Sequence, residues 1–166
     1  MVDQAVISVL AILHIISAVG WLGAAIFFLS VIGPTVRTLT PPTSLEFLVR
    51  VGTRQLRFFA ASATATVIFG LGLLFSYFGT DYTSYPTTLV IGFTLALIVY
   101  IETMVFTFPH FRKALKAGAQ MLSNPQPGPP PSEFTSNLRK GIMGATISTI
   151  VILFVAVLMV VTAFPL

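Results

Sequence analysis

Residues 5–32 read AVISVLAILHIISAVGWLGAAIFFLSVI, and this stretch decides the fold. It contains no Asp, Glu, Lys or Arg. About 20 apolar residues in helix cross a hydrocarbon core of about 30 Å, so the run is long enough to span. Three further long apolar runs follow, at 58–78, 88–108 and 141–164, with Glu102 their one charged residue. Gly33-Pro34, Gly79, Pro109 and Pro165 stand at the ends of the four runs and are expected to close them. Lipid offers no partner to an unpaired peptide group, so each run must be a helix. The expectation is an all-α, integral membrane, antiparallel four-helix bundle in a single domain, 1–166.

Composition agrees. Charged residues make up 8% of the chain, against about 25% in a soluble domain, which is too few to cover a surface in water. The chain has no cysteine, which removes disulfides, thiolate metal sites, Fe–S clusters and cysteine nucleophiles. The net charge of +4 sits in loops beside the spans and is explained by lipid head groups and topology, with no nucleic acid implied. The first run reads as a mature helix. No Lys or Arg precedes it, and it is much longer than the roughly 7–15 residues of a signal-peptide core.

The nine Lys and Arg set the orientation. Arg37, Arg50, Arg54 and Arg57 lie between runs one and two; Arg112, Lys113, Lys116, Arg139 and Lys140 lie between runs three and four. The loop carrying Asp81 and the tail carrying Asp3 have no base. The positive-inside rule places both basic loops in the cytoplasm, and both termini outside, in a multi-pass protein of the cytoplasmic (plasma) membrane.

The basic loops carry structure of their own. Thr43 with Glu46 is a capping-box pattern that predicts a helix running unbroken into span two. Arg50, Arg54 and Arg57 recur at helical spacing as one basic stripe, suited to snorkelling toward anionic head groups or to docking an acidic partner. Residues 110–122 put Phe111, Ala114, Leu115, Gly118, Met121 and Leu122 near one face, either as an extension of span three or as a short interfacial helix. Residues 123–132 form a proline-rich linker. Ser17, Gly20 and Ala24, Gly70 and Gly72, and Gly144 and Ser148 are small residues at which helices can approach closely.

Few residues could carry chemistry. His14 and Glu102 lie inside spans, where polar groups are functional candidates. Counted from the span ends at about 1.5 Å per residue, His14 is about 14 Å deep and Glu102 about 21 Å, so the two fall within about 7 Å along the normal. The second histidine, His110, follows Pro109 as an interfacial residue, roughly 20 Å deeper than His14. Two histidines at such different depths exclude a bis-histidine haem within one chain. His14 alone, with Met104, Met159 or nothing opposite, remains a candidate ligand for haem or for copper. The alternative is a neutral imidazole bonded to a backbone carbonyl or a hydroxyl. Trp21 lies two turns from His14 on the same face. Glu102 is a candidate proton relay, cation ligand or contact to another chain. Its alternative is a carboxyl bonded to Thr103, Tyr100 or a neighbouring helix. No hydrolase triad, phosphate loop or carboxylate pair is present, so catalysis on a soluble substrate is not expected.

The segment His14-Ile-Ile-Ser-Ala-Val-Gly-Trp21-Leu-Gly23 resembles the opening helix of the copper-resistance protein D (CopD) superfamily, which includes the HemJ-type protoporphyrinogen oxidases. Pro34, Arg54 and Arg57, Gly70, and Leu138-Arg139-Lys140-Gly141 are similar in outline. The resemblance implies that His14, with Trp21 beside it, binds haem b or copper. HemJ-type enzymes carry a lysine early in span three; Pro86, Thr87 and Thr88 stand here, which speaks against protoporphyrinogen oxidation. Three functions follow as expectations. One is a CopD-like protein in membrane redox or metal handling. Another is a cofactor-free accessory subunit of a larger membrane complex, in contact with other subunits or a second copy. The last is a small transporter or channel using Glu102.

Overall fold

A computed structural model describes residues 3–79, 81, 85–125 and 128–163, with side chains described through 160. The expected close of the fourth run at Phe164-Pro165 lies outside these residues, as do residues 126 and 127 of the linker. Four long helices make up the described chain: α1 (Gln4–Thr38), α2 (Pro41–Phe78), α3 (Thr87–Ser123) and α4 (Ser132–Ala163). All four are long and apolar enough to cross a membrane. Asp3 caps α1, its carboxylate accepting from the Ala5 N–H at 3.0 Å. Gly79 ends α2 at φ 59, a conformation that side chains resist, and returns its N–H to the Phe75 carbonyl.

α1, α2 and α3 have 35, 38 and 37 residues. At about 1.5 Å per residue each is more than 50 Å long, against about 30 Å of hydrocarbon. The surplus lies at the end that carries the bases, and it is packed. One core cluster takes one buried residue from every helix: Trp21, Ala63, Val99 and Ile152. A second joins Leu48, Ala114, Leu115 and Phe134, with Leu45, Met121 and Leu138 against it. Contacts between α1 and α2 fix their register. Leu10 lies by Gly72, His14 by Gly70, Gly20 by Ser62, and Ala24 by Gln55, so residue numbers fall on α2 as they rise on α1.

Pro34 and Pro109 do not end their helices. Proline lacks an N–H and its ring clashes with the carbonyl four residues back. Here each is preceded by one wide turn, Phe28–Ile32 in α1 and Thr103–Thr107 in α3. In these turns Gly33 N–H reaches the Phe28 carbonyl and Phe108 N–H reaches the Thr103 carbonyl, five residues back. The helix then resumes through the proline. Residues 110–122 are therefore a direct continuation of α3.

The capping box at Thr43 and Glu46 is not formed. α2 begins at Pro41, after Thr40, whose hydroxyl donates to Thr43 Oγ1 at 2.9 Å. Glu46 instead pairs with Arg50 at 2.8 Å. Two prolines in the first turn have the helical φ built in and no N–H to satisfy, so the box has little to add.

Gly118, a weak helix former, stands where α3 meets two neighbours. A Cβ there would lie 3.0 Å from Val49, 3.1 Å from Leu45 and 3.3 Å from Phe134. Gly118→Val is expected to lower stability by about 1–3 kcal/mol through overpacking. Gly23→Ala, where a Cβ meets nothing within 4 Å, should be neutral or gain up to about 1 kcal/mol of helix propensity. Thermal unfolding of the two variants in detergent compares them. The opposite order would mean that the basic end is not packed.

Candidate functional site

His14 is half-buried on α1 against α2. Its Nδ1 lies 2.9 Å from the Thr66 carbonyl oxygen. A carbonyl only accepts, so Nδ1 carries the proton and donates; in the neutral form of the ring the lone pair then belongs to Nε2. The Thr66 hydroxyl is turned away, donating to the Ser62 carbonyl at 2.8 Å. Gly70 makes the room: a Cβ at that position would lie 3.0 Å from His14 Cε1 and 3.2 Å from Nδ1. The ring is thus held as the sequence alternative describes, by a backbone carbonyl. The same arrangement orients a ligating histidine, whose second nitrogen is commonly anchored in this way.

The layer formed by Trp21, Ala63, Val99 and Ile152 gives a common level. His14 lies seven residues from it, roughly 10 Å toward the end away from the bases. Glu102 lies three residues from it toward the basic end, roughly 4–5 Å. The two are therefore about 15 Å apart along the bundle, twice the separation counted from the span ends. The count fails because the helix ends are not level: α1 begins about five residues further out than α3.

The methionines are placed by the same layer. Met104 packs against the Trp21 cluster and lies five residues past Val99, about 18 Å along the bundle from His14. One metal ion cannot bridge that distance, so Met104 does not complete a His14 site. Met159 is at the level of His14, but its methyl group fills the space in front of Gly92 on α3. Trp21 is 2% exposed, with its ring edge-on to Phe59 at 6.3 Å. Its Nε1 is buried without a hydrogen-bond partner among the described residues.

Glu102 is the centre of a second polar group. Thr107 Oγ1 donates to Oε1 at 2.8 Å, and Ser148 Oγ from α4 donates to Oε2 at 2.6 Å. Thr103 Oγ1 stands 3.4 Å from both Oε2 and Ser148 Oγ. Tyr100 takes no part: its hydroxyl pairs with Thr64 at 3.1 Å. Residues five apart do not face each other on an α-helix. The wide turn at Thr103–Thr107 brings Thr107 under Glu102, and Pro109 is the reason for that turn. Gly144 leaves the space, since a Cβ there would run into Thr107 Oγ1 and lie 2.9 Å from Glu102 Oε1. Ser148 was legible in the sequence only as a small packing residue. Thr107 was not legible, and Pro109 two residues on is the one signal for it.

The remaining candidates lie toward the basic end. His110 Nδ1 donates to the Phe106 carbonyl at 2.7 Å, with its ring on Phe106 at 4.4 Å. The Arg50 ion pair with Glu46 is exposed, and such pairs contribute little. Arg54 and Arg57 are exposed and have no carboxylate partner among the described residues. Among these residues, too, no three of His, Cys, Asp and Glu gather as a metal site. Comparison with known protein families, with curated proteins and with solved structures finds no match.

Gly144→Ala is expected to displace the Thr107 hydroxyl and cost about 1–3 kcal/mol, the penalty of a polar group deprived of its partner. Combined with Thr107→Ala, which removes the colliding hydroxyl, Gly144→Ala should cost clearly less than it does alone. A double-mutant cycle on thermal unfolding measures this coupling. Additive effects would mean that Gly144 does not serve the Glu102 group.

Proposed function

We propose that this chain is an antiparallel four-helix protein of the cytoplasmic membrane, with both basic loops in the cytoplasm, that presents His14 as a single nitrogen ligand to haem b or copper in membrane redox or metal handling. The observation that carries the reading is the His14 anchor: Nδ1 tied to the Thr66 carbonyl beside Gly70, with the Nε2 lone pair left over. The likeness of residues 14–23 to CopD-type proteins points the same way. In this reading Thr66 fixes the tautomer and Gly70 provides the clearance for the ring. The bound group would supply one-electron chemistry.

The fit is to one-point attachment. Met104 lies too far along the bundle to be a second donor to His14, and the nine bases lie at the end away from it, so haem propionates would find no cation from this chain near His14. The same fact supports a second reading, a cofactor-free subunit of a larger membrane complex.

Absorption spectra of gently solubilised protein, oxidised and reduced, with metal analysis on the same sample, separate the two. A Soret band or stoichiometric copper that disappears in His14→Ala, while the variant still inserts, is the expected result. No haem and no copper in the native protein would turn the argument to the complex it belongs to. Sidedness has its own test, made simple by the absence of cysteine. Ser44→Cys and Ser132→Cys should react with an impermeant maleimide only from the cytoplasmic side, and Asp3→Cys only from the other.

A further inference from the structure

The outer surface between α1 and α2 is indented near the basic end. Gly23 and Ala24 form the floor, Phe27 and Phe58 the walls, and Gln55 and Arg54 the basic-end rim. The indentation is a shallow groove, open to the surroundings of the bundle. Gly23 adds no side chain to the floor, and a Cβ there would meet nothing within 4 Å. The floor is fixed in place by Gln55, whose Nε2 donates across to the Ala24 carbonyl at 2.8 Å. Phe27 and Phe58 are half-exposed, at 52% and 56%, so the walls are apolar and open to lipid.

Polarity varies along the groove in one direction. Arg54 lies one turn beyond Phe58 toward the basic end, where α2 leaves its apolar run. Its guanidinium is exposed and has no carboxylate partner among the described residues. A forked cation above an apolar channel is complementary to a phosphate above an acyl chain. We infer that this groove is a binding site for one anionic phospholipid, with the phosphate on Arg54 and an acyl chain over Gly23 between Phe27 and Phe58. The inference needs only that the bundle lies in a bilayer, and it is independent of His14.

The test uses the full chain in vesicles of phosphatidylcholine containing a trace of spin-labelled phosphatidylglycerol or spin-labelled phosphatidylcholine. The motionally restricted fraction reports lipid held by the protein. Phosphatidylglycerol should be preferred by about fivefold, the effect expected of one basic residue at the surface. Arg54→Gln should bring the preference close to parity. Lys113→Gln, the same charge change elsewhere on the basic end, should leave most of it. Gly23→Leu fills the floor at a position with open space and should reduce the held fraction of phosphatidylglycerol although Arg54 is intact. Equal losses from Arg54→Gln and Lys113→Gln would make the preference a property of the whole basic end and overturn the site. An unchanged held fraction in Gly23→Leu would overturn it too.

Discussion

A bilayer core has no water to hydrogen-bond a stranded peptide group, and each such group costs several kcal/mol. The four long helices follow from that constraint. It also explains how α1 and α3 treat their prolines. Ending a helix at Pro34 or Pro109 would leave carbonyls open at the edge of the apolar run. Passing through with one wide turn keeps the Phe28 and Thr103 carbonyls supplied by donors five residues on. The polar clasp on Glu102 is a by-product of that choice, because the wide turn is what carries Thr107 within reach.

Helices in lipid gain nothing from the hydrophobic effect on meeting one another, so they associate through close packing and a few polar contacts. The bundle shows both. His14 lies over Gly70, Phe111 over Gly141 and Leu115 over Gly52, each neighbour occupying the place of a missing side chain. His14 to Thr66, Gln55 to Ala24, Thr64 with Tyr100 and Ser148 to Glu102 are hydrogen bonds that cross between helices. At the basic end the surroundings change to water and head groups, and the cluster of Leu48, Leu115 and Phe134 becomes an ordinary apolar core. One set of helices therefore uses two kinds of cohesion along its length.

The spanning helices were legible in the sequence because apolar runs of this length, with Glu102 as their one charged residue, have one explanation in lipid. The buried face of Phe111, Ala114, Leu115 and Gly118 was legible from spacing, with Met121 half-buried beside it, whereas Leu122, expected on the same face, is exposed. Helix ends were harder to read. Proline usually stops a helix, but α1 and α3 pass through theirs after one wide turn, and Pro41 begins α2 before Thr43 can cap it. The candidate site suffered most from this. Depths for His14 and Glu102 were measured from helix ends that turn out not to be level, so two residues in different layers looked like neighbours. Which hydroxyls reach Glu102 depended on a local change of helical pitch that no periodicity analysis contains.

That change of pitch has a geometric consequence beyond the clasp. A wide turn amounts to one residue inserted into an α-helix, which offsets everything after it by about 100° about the axis. α1 and α3 each carry one such offset, while the described parts of α2 and α4 run as uninterrupted α-helix. The membrane half and the basic half thus have separate rotational frames on two of the four helices. Deleting a single residue within 28–32 or 103–107 would not shorten a turn so much as cancel a phase difference, swinging one basic segment against its neighbours while leaving the membrane half in register.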